Sequence, residues 1–365
     1  MSAPLLTRTR TALGGWNRPL TVTGLAMLAG TVLCLVLLAV DQRQLLGQPI
    51  WLKPLKFTIS LAIFCLSWAW LMKYVPDRFA RAGRGLAVVL SGTAIAEMVW
   101  IAVQAVRGRA SHFNISTALD TTLFAIAGSA ILMLWIATAA LTLLVWKLGD
   151  IDAPLRMAIR CGALISLAGM AIAFLMTQPT PEQEAAMDAG AAPTMAGAHS
   201  VGVADGGAGL PVVGWSTGGG DLRIGHFVGI HALQLLPLVA AALAAASRRW
   251  RRLVDERTRT RLVMTAGLGY AGVTALVTVQ ALRGQPLLRP DAWTAAGWLA
   301  IVVLVAALSA SCLRRAAGSD GDVGVLGLAD RERAAQRDES DERDVETDRV
   351  GAELGVQVGR DDRRQ

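Results

Sequence analysis

The sequence predicts an all-α integral membrane protein with eight transmembrane helices in two parallel four-helix repeats, followed by a disordered C-terminal tail. Three observations predict it. The 365-residue chain is 53% hydrophobic and 17% charged, with a mean hydropathy of +0.46, too apolar for a single water-exposed globule. Eight windows approach the roughly 20 apolar residues that a helix needs to cross a bilayer core. A short motif ending the third window returns at the end of the seventh.

The windows run approximately 20 to 40, 56 to 75, 85 to 106, 121 to 146, 157 to 177, 224 to 247, 262 to 282 and 292 to 312. They are continuous apolar runs without strand-like alternation, so helices are expected rather than a barrel. The first window is long and no small-residue cleavage site closes it, so it reads as a retained helix. Cys34, Cys65, Cys161 and Cys312 lie in or at the ends of apolar windows without CxxC spacing, which points to packed thiols rather than a disulfide framework or a zinc site.

Positive charge sets the expected orientation, because loops rich in Lys and Arg stay cytoplasmic. One set of window ends carries 19 Lys and Arg residues and the other carries 8, which places both termini in the cytoplasm of a cell-membrane protein. The segment 178–222 has no Lys or Arg and reads as extracytoplasmic. The expected organisation is a cytoplasmic segment 1–18, a first half 19–147, a second half 154–312 that includes the 178–222 loop, and a cytoplasmic tail 313–365. That tail interleaves Asp, Glu and Arg without an apolar face and reads as a solvated polyampholyte.

The repeat rests on VQAVRG (103–108) against VQALRG (279–284), and on LKPLKF (52–57) against LRIGHF (222–227), at offsets of 176 and 170. Four crossings return the chain to its starting side, so the halves are expected to be parallel rather than inverted. Lys56 then corresponds to His226, Leu61 to His231 and Glu97 to Val273, which gives a symmetric scaffold an asymmetric lining.

Chemistry gathers at the outer surface. WLKPLKF (51–57) holds two of the chain's four lysines, Lys53 and Lys56, where the charge rule disfavours them. All four histidines, His112, His199, His226 and His231, map to outer loops or outer helix ends. Glu97 lies mid-helix and should face other helices, and Gln104, seven residues on, shares its face. RGRASHFN adds Arg107, Arg109, His112 and Asn114. The stretch 218–234 adds Asp221 as a helix cap, Arg223, His226, His231 and Gln234, and the seventh window ends in Gln280 and Arg283.

These fifteen residues, Lys53 to Arg283, are the candidate ligand-binding set, with His226 and His231 as candidate metal ligands. Being five apart, the two histidines are rotated about 140° around a helix and are poorly placed to share one metal unaided. A haem between helices needs only one axial imidazole and basic groups near its propionates, so haem is a possible cofactor. The basic cluster favours an anionic small molecule or a lipid headgroup, and the bilayer is the expected partner. Nothing indicates nucleic acid. Walker loops, GxSxG elbows and dinucleotide fingerprints in a strand-to-helix context are absent. The expected function is an extracytoplasmic pocket for an anionic cofactor or ligand, haem- or redox-related. The alternatives are a transporter or binding protein for a small anion or lipid, with Glu97 proton-linked, and a structural or assembly protein whose basic residues and Trp51 and Trp215 anchor it to the membrane.

The signatures GQPIWLKPLKF, RGRASHFN and GLPVVGWSTGGGDLRIGHFVGIHALQ resemble those of a widespread group of bacterial multi-pass membrane proteins without an assigned activity. The resemblance extends to about residue 312 and implies the fold, not a reaction. The architecture is also similar to that of haem A synthases, which have eight helices in two halves and histidines at extracytoplasmic helix ends. That family carries its histidines on even-numbered helices. Here only the sixth helix has them and the second has Lys56, which argues against haem A synthesis itself.

Overall fold

The computed structural model describes residues 15–146 and 151–315, and the expected disordered tail lies almost wholly outside that range. In chain order the helices are α1 (Arg18–Val40), α2 (Leu52–Leu71), α3 (Ala80–Arg107), α4 (Ala118–Val145), α5 (Ala153–Met176), the short α6 (Pro181–Asp188), α7 (Leu222–Ile230), α8 (Ala232–Ala246) and α9 (Glu256–Leu282). The last is α10 (Ala292–Arg315). Four two-residue strands form two small ribbons, β1 (Gln44–Leu45) with β2 (Gln48–Pro49) and β3 (Ser200–Val201) with β4 (Gly220–Asp221).

Among the described residues, seven helices are long and apolar enough to cross a membrane, and α7 with α8 makes an eighth when the bent pair is taken as one span. The chain is thus a multi-pass membrane protein in architecture. Most helices begin a few residues before their apolar windows because polar side chains cap them. Asn17, Thr117, Asp152, Asp221 and Asp255 each accept a backbone N–H of the first turn of α1, α4, α5, α7 and α9. A capping box at Thr180 and Gln183 likewise starts α6, inside the segment expected to be loop.

The α7–α8 bend of 45° occurs at His231. Neighbouring helices take the carbonyls that the ladder would otherwise use. The Tyr270 hydroxyl on α9 donates to Val228 O at 2.6 Å, and Ser166 Oγ on α5 donates to Ile230 O at 3.1 Å. Side-chain insertion of this kind is a known cause of kinks.

The principal core joins Trp68 of α2, Leu90 of α3, Leu141 of α4, Ile159 of α5 and Leu233 of α8, all essentially buried. A second cluster packs α5, α8 and α9 through Ala158, Leu236 and Val263. Helices α5 and α7 touch through glycine, since a Cβ on Gly169 would collide with the backbone of Gly229. All four cysteines are free, with Cys34 and Cys65 buried. Trp51, expected as an interfacial anchor, is 7% exposed, and its indole N–H donates to Asp41 Oδ2 at 2.7 Å.

Candidate functional site

The starts of α2, α4 and α7 and the finishes of α3 and α5 surround a cavity of about 560 Å3, roofed by residues of the 178–222 segment. Lys53, Lys56, Arg109, His112, Arg223 and His226 all line it. Six of the fifteen candidate residues therefore share one space, together with His199 and Asp205, which the site reading had left out.

Each imidazole is held by a different device. His226 Nδ1 lies 2.8 Å from Gly169 O, and a carbonyl can only accept, so Nδ1 carries the proton and the Nε2 lone pair stays available. The same glycine that admits α7 against α5 thus exposes the carbonyl that orients the ring. His199 Nδ1 lies 2.7 Å from Asp205 Oδ2, and Asp205 also accepts the backbone N–H groups of His199 and Ser200. Burial would raise Asp205, but the His199 ring and those N–H donors hold its carboxyl well below the usual range. Burial pushes His199 down to about 4 against the pull of Asp205, and Lys53 and Arg223 add to the push.

His112 connects the cavity to the interior. Lys53 Nζ and Ser111 Oγ lie 3.1 and 2.9 Å from its Nδ1, and Nε2 lies 3.3 Å from Glu97 Oε1. An ammonium only donates, so Nδ1 accepts and the ring proton sits on Nε2, facing Glu97. The 3.3 Å contact has ion-pair distance without hydrogen-bond angles, and Glu97, 1% exposed, receives no hydrogen bond among the described residues. Burial lowers the His112 pKa and the Lys53 charge lowers it further, while Glu97 opposes both. The next residue, Phe113, has φ 64, a left-handed conformation costly for a bulky side chain. Its ring packs edge-on between His112, Phe124 and His199.

The cavity's charges are unbalanced. Arg223 is neutralised by Asp221, which is fully buried, caps α7 and also accepts Ser216 N–H. Among the described residues Lys56 Nζ donates only to Val213 O, at 3.0 Å. Among the described residues neither Lys53 nor Lys56 has a carboxylate partner.

The other candidates lie elsewhere. Gln104 Nε2 donates to Ala110 O, six residues on, and Gln280 Nε2 donates to Pro286 O, also six on. Gly108 (φ 70) and Gly284 (φ 71) close α3 and α9 in the same left-handed turn. Arg107 then pairs with Asp120 on α4 at 2.8 Å, and Arg283 with Asp291 just ahead of α10 at 2.6 Å. The echoed VQAVRG and VQALRG thus end their helices in the same way, and neither Gln104 nor Gln280, both expected in the pocket, lines the cavity, although Ala105 of the first motif does. Asn114 folds back on its own loop, through Ala110 O and Ser116. His231 occupies the α7–α8 bend, and the amide of Gln234 meets Ser67 Oγ at 3.1 Å. Among the described residues no group of three or more His, Cys, Asp or Glu could hold a metal ion, so a His226–His231 metal site has no third ligand of that kind.

Compared with protein-family models, curated proteins and solved structures, the chain matches none. Function must therefore be read from the site.

His199 and Asp205 were missed because neither lies on a helix with a period to read. Their signal is the hexad spacing in HSVGVAD, short enough for a turn to close Nδ1 onto the carboxylate.

Proposed function

We propose that this multi-pass membrane protein binds an anionic cofactor or ligand in the cavity, at the extracytoplasmic surface, with both termini in the cytoplasm. The observation that carries the reading is the meeting of Lys53 and Lys56, both without a carboxylate partner among the described residues, with three imidazoles in one largely apolar space. In such surroundings an ammonium attracts an anion far more strongly than in water. Apolar walls with a few convergent polar groups are the usual make-up of a ligand site.

The His226 ring suits a haem or redox-metal reading. An imidazole whose Nδ1–H is fixed on a backbone carbonyl presents Nε2 in the tautomer that ligates a metal, and Lys53 and Lys56 would meet carboxylates of the group. The parallel-repeat reading draws support from the matching clamps at Gln104 and Gln280, a local likeness at the two predicted positions.

Absorbance of the purified full-length protein tests this. A Soret band that shifts on reduction and disappears in His226→Ala supports haem. A colourless protein stabilised against heat by organic anions supports a non-haem ligand, and a protein that does neither overturns the reading.

The Lys53–His112–Glu97 series favours a second reading, proton-linked transport of the anion. A proton arriving at His112 Nδ1 releases the one on Nε2 towards Glu97, whose carboxylate oxygens accept no hydrogen bond among the described residues. Uptake in vesicles that collapses in Glu97→Gln while ligand binding persists would support it, and unchanged uptake would reject it.

A further inference from the structure

The lining of the cavity on α4 is wider than an enclosed pocket allows. Ala127 faces the buried side of the helix, whereas Leu132, five residues on and about 140° further round, is 47% exposed on the outside of the bundle. Both line the same space, as do the exposed Ala125 and Gly128. The cavity therefore continues from the interior around one shoulder of α4 to the surface that faces lipid.

The opposite edge of this slot is α5, through Ala173 and Phe174. The two helices are tied lower down, where the Trp135 indole donates to Leu167 O at 3.1 Å and packs edge-on against Phe174. Above that tie α4 lines the slot with Ala125 and Gly128 as well as the larger Ile131 and Leu132. Gly128 is exposed and a Cβ there would meet nothing within 4 Å, so no neighbour blocks the slot at that position.

The two ends of the cavity differ in chemistry. Lys53, Lys56 and the imidazoles occupy the end beneath the loops, while the end towards α4 and α5 is walled by Phe124, Ile131, Leu132 and Phe174. An ion held by the lysines would leave that apolar half to water. A molecule with an acidic head and a hydrocarbon tail would fill both halves, and the slot lets its tail remain in the bilayer.

Building on the anion-site reading above, we propose that the ligand is an anionic amphiphile of the bilayer, a lipid with a phosphate or carboxylate head. Its head contacts Lys53 and Lys56, and its chain leaves sideways between α4 and α5 past Gly128.

The test uses the full-length protein in a non-ionic detergent and reads thermal unfolding against three probes: oleoyl lysophosphatidate, glycerol 3-phosphate, and oleoyl lysophosphatidylcholine. Lysophosphatidate is expected to raise Tm saturably, with the other two weaker by about tenfold or more in half-saturating concentration. Lys53→Gln with Lys56→Gln should weaken lysophosphatidate about tenfold or more. So should Gly128→Trp, or Leu132→Trp if the first does not fold, whereas Ile136→Trp, on the lipid face outside the slot, should not. If glycerol 3-phosphate acts as well as lysophosphatidate and the slot variants change nothing, the lipid assignment falls and the anion site stands. If the choline lipid acts as well and the lysine variants change nothing, recognition of charge falls. If no probe shifts Tm, both readings fall.

Discussion

Lys53 Nζ sits 3.1 Å from His112 Nδ1, and so the proton of a ring 21% exposed is directed at Glu97, 1% exposed in the middle of α3. A lysine at the cavity wall thus sets the tautomer of the histidine behind it. Lys53→Met removes both the donor and a charge that holds His112 down, so the His112 pKa should rise, read from its ring proton resonances in a selectively labelled sample. An unmoved midpoint would mean the two groups are not in contact in the membrane.

The pH dependence of stability has a calculable sign. His199 is lowered from 6.5 to about 4, so the unfolded chain takes up its proton first as pH falls. The stability due to its neutral form is fully present above pH 6.5 and is lost as pH falls towards 4. At pH 5 the loss is up to roughly 2 kcal/mol. Thermal unfolding between pH 7 and 5 should be steeper in the natural protein than in His199→Gln, with burial of His112 adding to the slope in both.

The contact between Gly169 and Gly229 should tolerate no side chain. Gly169→Ala forces α5 from α7 at backbone level, costing roughly 1–3 kcal/mol, and moves the carbonyl that fixes His226. Its ligand affinity should fall with its stability. Gly128→Ala, which adds a methyl to open space within a helix, should not lower Tm and should raise it slightly.

The two clamps predict an asymmetry. Asp120 has 0% side-chain exposure and takes hydrogen bonds from Gln104, Arg107 and Thr117, so Asp120→Ala, which strands a partly buried guanidinium, should cost roughly 3–5 kcal/mol. Arg283 and Asp291 are 41% and 35% exposed, and Arg283→Ala should cost no more than about 1 kcal/mol in unfolding measurements. Neither substitution touches the cavity, so ligand-induced stabilisation should survive in both.

The apolar spans were legible in the sequence because apolarity sustained over some twenty residues is a property of the segment itself, whatever packs against it, whereas the break of the sixth into α7 and α8 was not. The capping role of Asp221 and the convergence of lysine, arginine and histidine at one level were legible for the same reason, since residue spacing and helix rise fix height along the membrane. Rotation about each helix axis was not, because it depends on which neighbour the helix meets. Only the tertiary structure decided that Gln104 and Gln280, at the predicted height, turn away to close helix ends, while His199 and Asp205, in a segment without periodicity, fold over the lysines. The bend at His231 likewise comes from Ser166 and Tyr270, 65 and 39 residues away in the chain, whose hydroxyls take carbonyls that no local pattern marks as contested.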